Sequence, residues 1–373
     1  MTMPVRYHLG EFPPKRIDWE RLVPLIGPAN AALARYDGLL SVIPNADVLL
    51  SPLTTQEAVL SSLIEGTQAT MSEVLEFEAG AVPENADPKK VDDIREILNY
   101  RRAMAEAIQQ LRSLPLCQRV IKHVHSVLLE GVRGYDKARG KYKPIQNYIG
   151  SLGCGIEDAK FVPIPPEQVT EGMGRWEKYL HAKTPDGLVQ LAIAHAEFES
   201  LHPFLDGNGR VGRMLIPLFL YERKLLQAPV FYLSEYLEAN RPEYYSRLLA
   251  VSSDNDWTGW CRFFLKAVSE HAAKNQQKAR QILDLYQTKK EWLAKAVPSR
   301  HSVTALDFFF KRPIFNSTEF VETAGIPAAT ARRMLKLLDE QAMIRVLRKA
   351  SGRKPTIYVF FDLVNIAEGR KVL

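Results

Sequence analysis

The stretch His202-Pro203-Phe204-Leu205-Asp206-Gly207-Asn208-Gly209-Arg210-Val211-Gly212-Arg213 constrains this chain more than any other. It sets a base, a carboxylate, an amide, three glycines and two arginines between two apolar helical runs. Gly207 and Gly209 lack a Cβ, so the backbone can turn sharply and come close to a ligand. Behind them, 211–220 reads as a helix whose first N–H groups are free and whose dipole draws an anion. Arg210 and Arg213 add fixed charge on forked donors that suit phosphate oxygens. Asp206 is the hard oxygen ligand that Mg²⁺ takes when it also holds phosphates. His202 titrates near neutral pH and can take a proton from a hydroxyl. A turn between helices would account for a lone Gly-x-Gly, but not for this many polar and glycine positions at fixed spacing.

A length of 373 residues predicts two or three domains, and 46% hydrophobic with 25% charged residues is ordinary for a globular chain. Residues 1–16 hold no apolar core of signal-peptide length, and the strongly apolar run at 214–221 is too short to cross a bilayer. Cys117, Cys154 and Cys261 are scattered and odd in number, which argues against a disulfide framework or a metal motif. These features predict a cytoplasmic protein without a membrane partner. The charge is uneven. Residues 300–373 hold 13 Lys/Arg against 7 Asp/Glu, so the whole excess of +6 sits in the C-terminal fifth. Such asymmetry points to nucleic acid or an acidic partner there.

Helical periodicity dominates. Helices are expected from Thr54 or Thr55 to Glu65, where Gly66 ends the run, and over 89–112, 115–130, 188–201, 242–252 and 257–285. A loop at 83–88 precedes the second of these. The charged stretch 274–295 reads as a connecting helix closed by Pro298. The glycine-rich segment 131–155, with alternating residues around Tyr142 and Ile149, reads as a hairpin. Leu188, Leu191, His195 and Phe198 share one helix face, which makes His195 a core histidine. His123 and His125 are two apart on a helix and form a poor metal pair.

The twelve-residue stretch resembles the signature loop of the Fic family, whose pattern is His-Pro-Phe-x-Asp/Glu-Gly-Asn-Gly-Arg-x-x-Arg. The resemblance implies a mainly α fold: an all-helical Fic core with a small β-hairpin flap. It implies protein adenylyltransferase activity, with AMP moving from ATP onto a Ser, Thr or Tyr hydroxyl of a target protein. His202 would deprotonate the hydroxyl and Asp206 would hold Mg²⁺. Asn208 and the backbone of 207–209 would cradle the phosphates, together with Val211 and Gly212 at the helix start. Arg210 would contact the β-phosphate and Arg213 the γ-phosphate. Kinase-type relatives replace the second glycine of Gly-Asn-Gly with lysine, and this chain keeps Gly209.

Ser61-Ser62-Leu63-Ile64-Glu65-Gly66 places Ser61 and Glu65 on one helix face. The carboxylate sits at a helix C-terminus, where the dipole repels it, so it wants a cation. A plain glycine-capped helix explains this stretch alone. Beside the signature loop, it resembles the Ser/Thr-x-x-x-Glu-Gly/Asn inhibitory motif of Fic proteins. By that resemblance Glu65 would pair with Arg213 through two hydrogen bonds, oriented by Ser61, and ATP would bind unproductively. The segment 143–150 resembles the Fic flap, which implies Asn147 and Gly150 along the nucleotide. Tyr245, after Arg241-Pro242-Glu243-Tyr244, is the residue chosen to face adenine.

The C-terminal part reads as helix 317–323, a turn at 324–327, helix 328–341, and strands at 344–347 and 356–360 around a basic loop. This order resembles a winged helix-turn-helix domain, with Arg332, Arg333 and Lys336 on the second helix and Arg353 and Lys354 on the wing. A winged helix that contacts only protein fits nearly as well. The expected divisions are 1–100 with the inhibitory helix, 101–272 as the Fic core, 273–298 as connector and 299–373 as winged helix. Two alternatives remain open: a nucleotide-sensing transcription regulator that binds DNA, and an enzyme that removes AMP with Glu65 positioning water. Self-modification and a homodimer are open as well.

Overall fold

The computed structural model describes residues 3–81, 87–151, 153–297 and 299–371. The expected stop at Pro298 and most of the loop at 83–88 lie outside these residues. In chain order the elements are β1 (Val5–Arg6), α1 (Trp19–Leu40), α2 (Ala46–Leu49), α3 (Ser51–Ile64), α4 (Met71–Glu78), α5 (Pro88–Gln110) and α6 (Gln118–Leu128). There follow β2 (Phe161–Val162), α7 (Val169–Leu180), α8 (Gly187–Leu201), α9 (Asn208–Glu222), α10 (Ser234–Ala239), α11 (Arg241–Asp254) and α12 (Trp257–Ala296). The C-terminal part adds α13 (Ser302–Lys311), β3 (Ile314–Asn316), α14 (Ser317–Thr323), α15 (Ala328–Glu340), β4 (Arg345–Arg348), β5 (Ile357–Val359) and α16 (Phe361–Glu368). No helix among the described residues is long and apolar enough to cross a membrane.

Contacts group the chain into two units, both discontinuous in sequence: 1–37, 60–66 and 99–273 form one, and 38–59, 67–98 and 274–373 the other. The expected divisions, by contrast, run consecutively.

The first unit is built around α8. Asp186 caps it, its Oδ1 accepting from the N–H groups of Leu188 and Val189 at 2.9 Å each. The expected single apolar face is too narrow: every residue from Leu188 to Leu201 except Glu199 is buried. Such a helix is core on all sides. It packs against α7, α9 and α11. Two indoles bond its carbonyls, Trp260 to Ala192 at 2.7 Å and Trp176 to Ala194 at 2.8 Å. Glu197, fully buried on α8, accepts from the Tyr7 hydroxyl at 2.7 Å and pairs with His8 Nε2 at 2.9 Å. That network anchors the segment after β1, which runs parallel to β2 with Val5 opposite Phe161.

The expected hairpin within 131–155 does not form strands. Turns fill 131–140, and Ile149 makes a single antiparallel bridge, to Phe161. Pro144 lacks a ladder donor, and the side chains of Lys143 and Asn147 are drawn to the signature loop instead. α3 begins at Ser51, earlier than expected, so Thr54 and Thr55 lie inside it. The two helices expected at 257–285 and 274–295 are one 40-residue helix, α12.

In the second unit β3, β5 and β4 form an antiparallel sheet in that order. Phe309, Phe315 and Phe320 pack as its core, with ring centroids 5.2–5.9 Å apart. Asn316 caps α14, its Oδ1 accepting from Glu319 N–H at 2.8 Å. Arg332, Arg333 and Lys336 are exposed on α15, as are Arg353 and Lys354 between β4 and β5.

Replacing Glu197 by Ala strands the Tyr7 hydroxyl and the His8 ring in the core. The expected loss is about 3 kcal/mol, the range for breaking a buried polar pair. It should be read as a lower urea midpoint with an unchanged slope.

Candidate active site

His202 ends α8 as its C-cap, in the left-handed region at φ 45° and ψ 59°. Its Nδ1 lies 3.3 Å from the carbonyl of Glu199, so Nδ1–H donates there and Nε2 keeps its lone pair. Burial, then the charge of Lys143, pushes the imidazole down to about 4, against the opposing pull of the Glu199 carbonyl, Glu65 and Asp206. At neutral pH it is therefore an uncharged base.

Polar contacts stiffen the loop that follows. The Asn208 amide accepts from Phe204 N–H and donates to Phe204 C=O, both at 2.8 Å. Its side chain thus braces the turn. Gly207 caps α9 at φ 75°, a conformation that glycine adopts without strain. α9 starts at Asn208, three residues earlier than expected, so Gly209 and Arg210 lie in its first turn.

His125 also braces the loop, a role its sequence context did not reveal. Its ring stacks on Phe204 at 3.8 Å and 7°. Its Nδ1 accepts from Gly140 N–H at 2.9 Å and its Nε2–H donates to the Asp206 carbonyl at 3.0 Å. Burial pushes this imidazole down to about 4 as well.

Asp206 Oδ1 takes the N–H of Gly207 at 2.6 Å and lies 3.4 Å from Arg210 Nη2. The side chain is 28% exposed. One partly open carboxylate beside a helix N-terminus fits Mg²⁺ carried in with phosphates. It does not fit a protein-built metal cage, and no cluster of three or more ligating side chains occurs among the described residues.

Arg213 is buried, and three groups hold it. Its Nε donates to Ser61 Oγ at 2.8 Å, and its Nη2 donates to Ser61 C=O and to Glu65 Oε1, both at 2.7 Å. Two expectations change here. The pair with Glu65 runs through one carboxylate oxygen, not two, and Ser61 bonds the guanidinium at Nε and Nη2. Ser61 accordingly orients Arg213 rather than Glu65. Burial raises Glu65, but the charge and hydrogen bond of Arg213, aided by Arg210 and His202, hold it below the usual carboxylate range. A Cβ at Gly209 would overlap Glu65 Oε1. The carboxylate therefore rests on the first turn of α9, where an anion is expected. Gly66, at φ 98°, turns the chain away after α3.

Two further residues flank this pair. Arg241 Nη2 donates to the Ile64 carbonyl at 2.6 Å and so ties down the end of α3. Glu199 lies against Gly212, where an added Cβ would overlap its Oε1, and burial pushes this carboxyl up to about 7. Neither was singled out from sequence, because a lone Arg or Glu on a helix carries no motif.

The remaining expected residues are placed as follows. Val211 is core, and the Gly212 carbonyl accepts from His195 Nδ1–H at 3.0 Å. Tyr244 is buried and bonds His195 Nε2 at 3.1 Å, which makes His195 the satisfied core histidine expected. Tyr245 is the open member of the pair, 43% exposed, beside Arg241. Asn147 donates to the carbonyls of His202 and Phe204 at 3.2 and 2.8 Å, so its amide serves the loop. Gly150 packs on Cys154.

Comparison with known proteins agrees with this arrangement. The Fic/DOC family N-terminal model matches residues 23–109, and the Fic/DOC family model matches 115–220. The chain is 30% identical over 142 residues to the protein adenylyltransferase fic-1 of Caenorhabditis briggsae, covering 37% of this chain and 24% of that protein. It is 28% identical over 202 residues to a probable protein adenylyltransferase of Aquifex aeolicus, covering 52% and 55%. The matches thus span from about a quarter to just over half of these relatives. A Fic family protein of Desulfovibrio desulfuricans superposes with a TM-score of 0.58 at 21% identity, over 93% of this chain and 98% of that one. A Fic domain containing signaling protein of Bacteroides thetaiotaomicron gives 0.54 at 18% identity, over 68% and 97%. With both family models matched over just over half of its length and the signature loop folded around His202, the chain belongs to the Fic/DOC family.

Proposed function

We propose that this chain is a protein adenylyltransferase that uses ATP and is restrained by its own Glu65. One observation carries the reading: the 2.7 Å contact between Arg213 Nη2 and Glu65 Oε1, with the carboxylate resting on Gly209. A cation at the second turn of α9 suits the terminal phosphate of a nucleotide lying along the helix start. Glu65 takes that cation, so a triphosphate competes with it for both charge and space.

When Glu65 withdraws, the phosphates lie along Gly207, Gly209 and Arg210. His202 Nε2 takes the proton of the target hydroxyl, its oxygen attacks the α-phosphorus, and pyrophosphate departs with the bridging electron pair. Mg²⁺, held by Asp206 and the phosphates, would supply charge neutralisation. The protein's own share is positioning, together with Arg210 and the α9 dipole facing the developing charge. The relatives named protein adenylyltransferase support this class of reaction.

A second proposal concerns 299–373. A three-stranded antiparallel sheet with α13, α14 and α15 supports a winged-helix reading, and the exposed Arg332, Arg333, Lys336, Arg353 and Lys354 suit a phosphate backbone. DNA binding through this face should weaken steeply with salt, and replacing Arg332, Arg333 and Lys336 by Ala should flatten that slope by about three phosphate contacts. A salt-independent interaction would assign the face to protein instead.

Glu65→Gly should raise transfer of α-labelled AMP to protein by about tenfold or more over wild type, the effect of restoring one charge-assisted phosphate contact. Adding His202→Ala should abolish the label. Absence of label in the single variant, with a cell extract as target, would contradict the proposal.

The pH dependence follows from His202. Lowered to about 4, it stays unprotonated far below neutrality, so Glu65→Gly should keep most of its rate at pH 5.5. An ordinary histidine, near 6.5, would have lost about nine-tenths by then. The lowered carboxyl of Glu65 keeps the brake charged over this whole range, so acidification to pH 5.5 should not release the wild type.

A further inference from the structure

Lys143 is buried to 2% exposure, although lysine almost always keeps its ammonium in water. Its backbone N–H donates to the Pro203 carbonyl at 2.9 Å. Its Nζ donates to Asn147 Oδ1 at 2.6 Å and to the Leu201 carbonyl at 3.3 Å. Asn147 extends the grip to the carbonyls of His202 and Phe204. Four consecutive carbonyls, 201 to 204, are thus held by two residues of one segment. They fix His202 at a positive φ that a non-glycine residue keeps only under such restraint.

We propose that Lys143 is a positioning residue for His202: with Asn147 it fixes the backbone of the base, and it sets a positive charge beside the imidazole. The inference rests on His202 being the base in the reaction above. The groups that face the imidazole are Lys143 from the 131–155 segment, Glu65 from the end of α3, Asp206 from the loop and the Glu199 carbonyl of α8. After burial, Lys143 is the main influence pushing His202 down, and the other three oppose it. Burial also brings the Lys143 ammonium itself down to about 7. An arginine here would stay charged at every working pH. This lysine instead loses its charge as the pH passes neutrality. The restraint on His202 then eases, and the imidazole becomes a stronger base while still unprotonated.

The test is NMR on the full chain carrying ¹³C-labelled histidine and lysine, titrated from alkaline pH to the onset of acid unfolding. In Lys143→Met the His202 midpoint should rise by about half a pH unit or more, and Lys143→Arg should bring it back. In the wild type the Lys143 Cε signal should titrate near 7, whereas surface lysines titrate near 10.4. This last measurement needs no variant and stands even if Lys143→Met fails to fold. In the Glu65→Gly background, Lys143→Met should lower kcat tenfold or more with KM for ATP within about twofold. An unmoved His202 midpoint, a Lys143 signal that titrates with the surface lysines, or a loss confined to KM would each overturn the proposal. The titrations do not depend on AMP transfer, so absence of transfer with the expected midpoints would sink only the activity reading.

Discussion

The position of Arg213 is the constraint on which the rest of the site depends. A guanidinium buried to 2% exposure must have its donors and its charge answered. Ser61 and Glu65 answer both, from one helix face. Their spacing of four residues lets a hydroxyl and a carboxylate reach the same cation, and Arg241 holds the helix end that carries them. In the proposed reaction the nucleotide would meet a site whose arginine is already satisfied. On the proposed reading, the brake would be a competition between two anions for one arginine.

The signature loop depends on a second, quieter set of contacts. His125 stacks beneath Phe204 and bonds the Asp206 carbonyl, Asn208 ties Phe204 from both sides, and Lys143 and Asn147 hold the carbonyls around His202. A loop with positive φ at His202, a non-glycine residue, is costly unless its surroundings over-determine it. These buried polar groups do so. They also account for a base that is neutral well below pH 7.

Much of this was legible in the sequence, and the gaps have physical causes. The signature loop could be read because each residue type meets a distinct demand at fixed spacing. The brake could be read as a pair on one face, but not its detailed bonding, since periodicity does not say which edge of a guanidinium a serine will take. α1 was missed because Pro24 and Pro28 argue against a helix that packing nevertheless sustains. α4 was missed although Thr70 and Glu73 form a capping box that the sequence displays openly. The hairpin at 131–155 was misread because alternation marks a strand only when its side chains serve a sheet. Here Lys143 and Asn147 serve the loop. Their burial could not be foreseen, because lysine is among the residues least often found inside.

Glu65 is proposed to withhold Arg213 from the terminal phosphate. Calorimetric affinities for ATP and for ADP, compared between the wild type and Glu65→Gly, test it most directly. Arg213 is the group expected to distinguish the two nucleotides. Nearly equal affinities are expected in the wild type, with a preference for ATP of about tenfold or more in Glu65→Gly, the value of one charge-assisted contact. An equal ATP-to-ADP ratio in both proteins would contradict it.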